Sequence, residues 1–137
     1  MIVKDLDGNE SMWKISATPK SKKRTKKSTY HQLALKLIKK TYPIYPVCQE
    51  TPINIHDNFW LYLDIYLPTI NIALEIHGEQ HYKFNTLFHK HKLDFVKQRR
   101  NDRLKREWCE LNKVGLIVLP YNESVEQWLD RIESYEY

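Results

Sequence analysis

The stretch LYLDIYLPTINIALEIHG, residues 61–78, decides the fold. In its first half Leu61, Leu63, Ile65 and Leu67 alternate with Tyr62, Asp64 and Tyr66; in its second, Ile72, Leu74 and Ile76 alternate with Ala73, Glu75 and His77. A period of two marks extended chain, whose successive side chains leave on opposite faces. Pro68 and Thr69 break the pattern, so two antiparallel strands joined by a short loop are predicted. With residues 68–71 as that loop, Leu67 pairs with Ile72, and counting back sets Asp64 opposite Glu75.

That register has a chemical consequence. Directly opposed Cβ atoms lie about 4.5–5.5 Å apart, where like charges repel. A divalent cation offsets the repulsion, because Mg²⁺ takes oxygen donors and keeps several waters, so Asp64 and Glu75 are candidate ligands for Mg²⁺ or Mn²⁺. Such an ion activates water and neutralises charge on a reacting phosphodiester. His77 shares the carboxylate face, and His77-Gly78-Glu79-Gln80-His81 puts a second imidazole just past the strand end. Imidazoles titrate near neutrality and suit proton transfer, which makes His77 and His81 candidate acid–base groups.

Working outward, Tyr30, Leu33, Ala34, Leu37 and Ile38 recur at helical spacing. Ser28 or Thr29 can cap this helix, which must end before Pro43. Residues 43–58 hold three prolines and read as a loop with at most one edge strand. Residues 87–112 read as a long helix with an interrupted apolar stripe of Leu93, Val96, Leu104, Trp108 and Leu111, and with a polar stripe of Asp94, Gln98 and Asp102. Gly115-Leu116-Ile117-Val118-Leu119 suits a buried strand, and Val125, Trp128, Leu129 and Ile132 line a last helix. The fold class predicted is α/β: a central mixed sheet, made of an antiparallel hairpin plus a strand after a crossover helix, flanked by helices. Trp60, Trp108 and Trp128 fall in apolar patterns and are expected in the core, whereas Trp13 is placed to stack on a base.

The chain of 137 residues is long enough for one core, with 42% hydrophobic residues and 12% aromatics against 28% charged. That composition fits a folded domain rather than a disordered tail. Residues 1–28 are expected to precede the fold as an N-terminal segment with a basic arm at 19–28, leaving residues 29–137 as a single domain. No apolar run reaches the roughly 20 residues of a membrane span, and no secretory leader pattern opens the sequence, so a cytoplasmic setting is expected. Cys48 and Cys109 have no CxxC spacing and read as reduced, partly buried thiols.

The net charge of +5 is unevenly spread. Lys20, Lys22, Lys23, Arg24, Lys26 and Lys27 stand together without an acid between them, and residues 90–106 set eight basic residues against Asp94 and Asp102. A lysine-rich arm beside a basic helix is a footprint for phosphate binding, with Arg99, Arg100, Arg103 and Lys105 as further contacts. DNA is the expected partner, RNA remains open, and no membrane partner is expected.

These residues resemble the PD-(D/E)xK nucleases of the restriction-endonuclease-like fold. Within them they are similar to the very-short-patch-repair-like branch, which includes mismatch nicking enzymes and some homing endonucleases. The likeness runs over residues 29–123. It implies that Asp64 is the metal-binding aspartate, Glu75 the acid of the (D/E)xK element, His81 the following catalytic histidine and Asp102 the helical acid that supports it. His77 falls where many members carry lysine. The resemblance thus implies a Mg²⁺- or Mn²⁺-dependent DNA endonuclease, whether nicking, homing-type or structure-directed; double-strand cutting by one site per chain would require a homodimer or two sequential events. Two departures stand out: the first helix offers His31 and Gln32 where relatives carry a glutamate, and two cysteines cannot build the branch's structural zinc site. They motivate an alternative, a catalytically inactive nuclease-fold protein that binds nucleic acid or serves assembly. A zinc enzyme using His77, His81 and a cysteine is a third reading, weakened because His-x₃-His spacing suits a helix better than a turn at Gly78.

Overall fold

A computed structural model describes residues 1–15, 29–79 and 92–135. Its elements in order are β1 (Ile2–Lys4), β2 (Glu10–Met12), α1 (Thr29–Thr41), β3 (Cys48–His56), β4 (Phe59–Leu67), β5 (Ile72–His77), α2 (Lys92–Leu111), β6 (Gly115–Pro120) and α3 (Val125–Glu133). Strands β3-β4-β5-β6 form one sheet in that order; the first three are antiparallel and β6 runs parallel to β5. The α/β class with a mixed sheet and flanking helices is therefore as the alternation implied.

The decisive hairpin has the counted register, with Leu67 opposite Ile72 and Ile65 opposite Leu74. Asn71 closes its loop at φ 56, a left-handed conformation that asparagine tolerates better than most residues. The same residue links the loop to the entry of β6. Its Oδ1 accepts from the Tyr66 hydroxyl at 2.6 Å, its Nδ2 donates to the Lys113 carbonyl at 3.0 Å, and its own carbonyl accepts from Gly115 N at 3.0 Å.

The sheet buries both faces. On one, Ile65, Leu67, Ile72, Leu74 and Ile76 join Ile117 and Leu119 against Ala34, Leu37 and Ile38 of α1 and Trp128 and Ile132 of α3. Each buried Leu or Ile among them contributes roughly 1.5–3 kcal/mol, which holds α1 and α3 against the sheet. α3 is started by a capping box in which Ser124 and Gln127 bond each other's backbone N–H. On the other face, Tyr66 and Ala73 pack under Trp108 and Cys109 of α2.

Residues 1–15 do not precede the fold: Val3 and Trp13 belong to the core, and Leu6 N donates to the Ile55 carbonyl at 2.7 Å. Trp13 donates from Nε1 to the Pro52 carbonyl at 2.8 Å and packs on Tyr66 and Trp108, so it is not free to stack on a base. The edge strand that residues 43–58 allowed is present as β3, nine residues long, and Pro52 is tolerated because β3 lies at the sheet edge. Trp60, expected inside, is 48% exposed. In α2 the stripe fails at its ends: Leu93, Val96 and Leu111 are exposed, because the face turned to the sheet carries polar side chains in its first half. The start expected for this helix at 87 lies outside the described residues. Among the described residues no helix is long and apolar enough to cross a membrane.

Candidate active site

Strand alternation puts Asp64 and Glu75 on the face that α2 covers. One step beyond the Ile65–Leu74 pair, the two acids meet side by side. Asp64 N donates to Glu75 Oε2 at 3.4 Å, Ile76 N donates to Asp64 Oδ2 at 2.8 Å, and the two carboxyl groups lie within hydrogen-bond range of each other. The polar face of this hairpin is thus not solvated surface: Glu75 is 2% exposed.

Lys105 reaches down from α2 to Glu75, with Nζ 2.8 Å from Oε1. It was expected to grip phosphate from the helix surface; instead its side chain is 15% exposed and belongs to the carboxylate pair. Burial raises the Glu75 carboxyl well above the ordinary carboxylate range, the neighbouring Asp64 charge raises it further, and Lys105 pulls the other way. For Lys105 burial pulls the amine down, but the charges of Glu75, Asp64 and Asp102 outweigh it and leave the amine raised, hence cationic. One ammonium against two carboxylates leaves negative charge in a low-dielectric place. A shared proton or a further cation must make up the difference.

A divalent cation fits that requirement. The donors are hard carboxylate oxygens on two strands that the sheet holds in place, which is the chemistry Mg²⁺ and Mn²⁺ select.

His77 ends β5 two residues after Glu75, and its Nε2 lies 3.9 Å from Asp102 Oδ1. Asp102 and Lys105 are three residues apart on α2 and share a helix face, so one helix addresses both β5 side chains. Asp102 was expected to support His81; its partner here is His77, while His81 lies outside the described residues. Asp64, Asp102 and Lys105 border a cleft, whereas Glu75 is buried behind them and neither it nor His77 lines that cleft. The cleft, of about 630 Å³, is walled by Leu61, Tyr62 and Asp64 of β4 and by Asp94, Gln98 and Lys105 of α2, with Glu50 of β3 at its border.

Glu50, on the edge strand β3, borders the cleft although no sequence pattern singles it out. His31 of α1, where a helix glutamate was sought, is buried with Nε2 3.2 Å from Gln49 Oε1, beside Glu50. Tyr66, placed on the carboxylate face by alternation, is a core residue whose hydroxyl burial pushes up to about 12, and only Tyr62 borders the cleft. Cys48 and Cys109 are free and buried, as expected, with burial and then the Glu75 charge holding the Cys109 thiol up at about 12.

Arg99, Arg100 and Arg103 are exposed on α2. Arg99 lies over the Phe95 ring at 5.7 Å and Arg100 over Phe59 at 5.6 Å, while Arg103 stands 3.8 Å from Glu107. Lys20, Lys22, Lys23, Arg24, Lys26 and Lys27 fall outside the described residues. Asp7, His56 and Asp57 bring ligand atoms within 4.8 Å of one another at two turns, but all three are exposed and none lines the cleft.

The sequence is similar to three viral proteins. It is 47% identical over 64 residues to uncharacterized protein 307L of Invertebrate iridescent virus 6, covering 47% of this chain and 32% of that protein. It is 44% identical over 61 residues to uncharacterized protein 033L of Invertebrate iridescent virus 3, covering 44% and 31%. It is 35% identical over 74 residues to uncharacterized protein 094L of Frog virus 3 (isolate Goorha), covering 53% and 48%. The match thus spans from 31% to 48% of those proteins' length. No family model matches the chain, and no solved structure matches it.

Proposed function

We propose that this chain is a metal-dependent endonuclease of the restriction-endonuclease-like fold that hydrolyses phosphodiester bonds in DNA. The observation that carries the reading is the joint placement of Asp64, Glu75 and Lys105: two acids on adjacent antiparallel strands and a lysine ammonium 2.8 Å from one of them, beside an open cleft. The strand position occupied by lysine in many such nucleases holds His77 here, and Lys105 supplies the ammonium from the helix instead.

Asp64 and Glu75 would hold Mg²⁺ or Mn²⁺, which when bound lends positive charge to the phosphate and acidifies a water. Lys105 adds a fixed positive charge where a phosphodiester oxygen gains negative charge during displacement. His77, whose Nε2 stands 3.9 Å from Asp102 Oδ1, takes or returns a proton at its imidazole. Arg99, Arg100 and Arg103 hold the backbone from outside the cleft, a contact that carries no sequence information.

One observation favours a second reading. Glu75 already has a cationic partner in Lys105, so a nuclease-fold protein that binds nucleic acid without cutting would keep this pair as structure.

The deciding experiment incubates the full chain with supercoiled plasmid, branched DNA, single strands and RNA, with Mg²⁺, Mn²⁺ or EDTA. Cleavage that requires the metal and is lost in Asp64→Asn and Glu75→Gln supports the nuclease. Binding without cleavage under every condition supports the second reading, and cleavage surviving both substitutions rejects the proposed centre.

A further inference from the structure

Of the four tryptophans, Trp13, Trp108 and Trp128 are core residues, whereas Trp60 is 48% exposed. Tyr62, two residues further along β4, is 44% exposed. Side chains two apart on a strand leave the same face, so both rings stand on one side of the β3–β4 ribbon, with Asn54 and Pro52 of β3 as their cross-strand neighbours. Among the described residues neither ring packs on another.

Size and charge decide what such a pair takes. A large aromatic side chain buries about 150–250 Å² when covered, so two half-exposed rings offer roughly 200 Å². A stable protein interface takes roughly 800 Å² from each partner. The pair is too small for that and matches the flat face of a nucleobase, which stacks on Trp and Tyr whatever its sequence. Cations for the phosphates flank it: the Arg100 guanidinium lies 5.6 Å over the ring of Phe59, the residue before Trp60, and Lys97 of α2 lines the cleft that Tyr62 borders. Alternate strand positions lie roughly 6.6 Å apart, about two of the roughly 3.4 Å repeats of a stacked strand, so neighbouring bases can engage both rings. In a duplex each base face is covered by the next pair, and only unpaired bases have one free.

We propose that Trp60 and Tyr62 form a stacking platform for unpaired bases, which makes single-stranded or splayed DNA the form that this cleft receives. Tyr62 and Asp64 both border the cleft, so a strand held on the rings is led to the acids. The inference rests on DNA as the ligand in the proposed function and adds which form of it is bound; it does not require cleavage.

The test is binding by the full chain, in EDTA, of a labelled single strand of mixed sequence and of the duplex of the same length. Fluorescence anisotropy and quenching of tryptophan emission are the readouts, and each variant is also melted to establish that it is folded. Trp60→Ala and Tyr62→Ala are each expected to weaken the single strand about tenfold or more and to leave the duplex unchanged, while Trp60→Phe and Tyr62→Phe keep most of the affinity. Trp60 is the exposed tryptophan, so the single strand should quench emission of the parent and Trp60→Phe should abolish that quenching. Single-strand affinity unchanged in both alanine variants, or an equal loss for single strand and duplex, overturns the platform. Self-association of the parent that Trp60→Ala abolishes also overturns it, by making the patch a contact between copies. Selective single-strand binding without metal-dependent cleavage leaves the platform standing and overturns the nuclease. A parent that binds neither form, with or without Mg²⁺, overturns both.

Discussion

Lys105 on α2 and Glu75 on β5 form an ion pair of 2.8 Å that joins the helix to the middle of the sheet, with Glu75 almost wholly buried. Removing one member of a buried pair leaves the other uncompensated, which costs about 3–5 kcal/mol, whereas replacing both by neutral groups of similar shape is close to neutral. Lys105→Met is therefore expected to destabilise the metal-free protein by about 3–5 kcal/mol at alkaline pH. The loss should shrink in acid, where Glu75 takes a proton. Urea unfolding of Lys105→Met, Glu75→Gln and the double variant checks this; a single variant as stable as the parent would show that the pair contributes nothing.

The raised Glu75 carboxyl ties metal binding to pH. An acid whose folded-state pKa lies above its unfolded value favours folding fully below the unfolded pKa, and that contribution fades as pH rises through the folded pKa. Metal-free protein should thus lose stability as pH climbs above the usual carboxylate range, with Lys105 limiting the loss. A divalent cation competes with the proton, so Mn²⁺ should release protons on binding, bind more weakly in acid, and restore the stability lost at higher pH. Melting curves across pH with and without Mn²⁺ report this directly. Glu75→Gln should flatten the metal-free profile, and a parent profile already flat would contradict the shift.

In the proposed mechanism His77 and Asp102 separate proton transfer from metal holding. There Asp102 would act through the imidazole, so Asp102→Asn is expected to lower cleavage about 10–100-fold, the usual cost of losing such a partner. The pH profile of the residual activity should shift, while Mn²⁺ affinity stays near that of the parent. His77→Ala should cost about 10²–10⁴-fold, the range of general acid–base catalysis. If both variants instead lose Mn²⁺ in proportion to activity, their role is to shape the metal site.

The two strand acids were legible from sequence for a definite reason. Alternation fixes which side chains share a face, and the break at Pro68 and Thr69 fixes the count, so the Asp64–Glu75 juxtaposition needs only local information. Lys105 was not legible as a site residue, because a helix–sheet contact across a crossover is tertiary and the residue looks like one of eight basic neighbours. Its clue was position: it lies three and four residues before Trp108 and Cys109, which α2 buries, and three after Asp102 of the polar stripe. The length and bounds of β3 were not legible, because the effect of its prolines depends on whether a strand is at the edge or in the middle of a sheet. Trp13 misled for a similar reason, since nothing near it in sequence reveals Pro52, Tyr66 and Trp108 as neighbours.

The exposed arginines of α2 give a prediction independent of the chemistry. Arg99, Arg100 and Arg103 are exposed, and their present partners, two rings and the exposed Glu107, are weakly held: an exposed ion pair is worth about 0–1 kcal/mol. Phosphate can displace such partners at little cost, and each phosphate contact steepens the dependence of log K on log salt by about one unit. Replacing all three by alanine should therefore lower that slope by about three units and weaken binding to all sequences alike. The measurement is fluorescence anisotropy with labelled DNA in EDTA from low to moderate salt, with Asp64→Asn as the comparison that leaves the helix surface intact. An unchanged slope in the triple variant would move the phosphate contacts off this helix, since removing three bound phosphates must also remove the counterions they release.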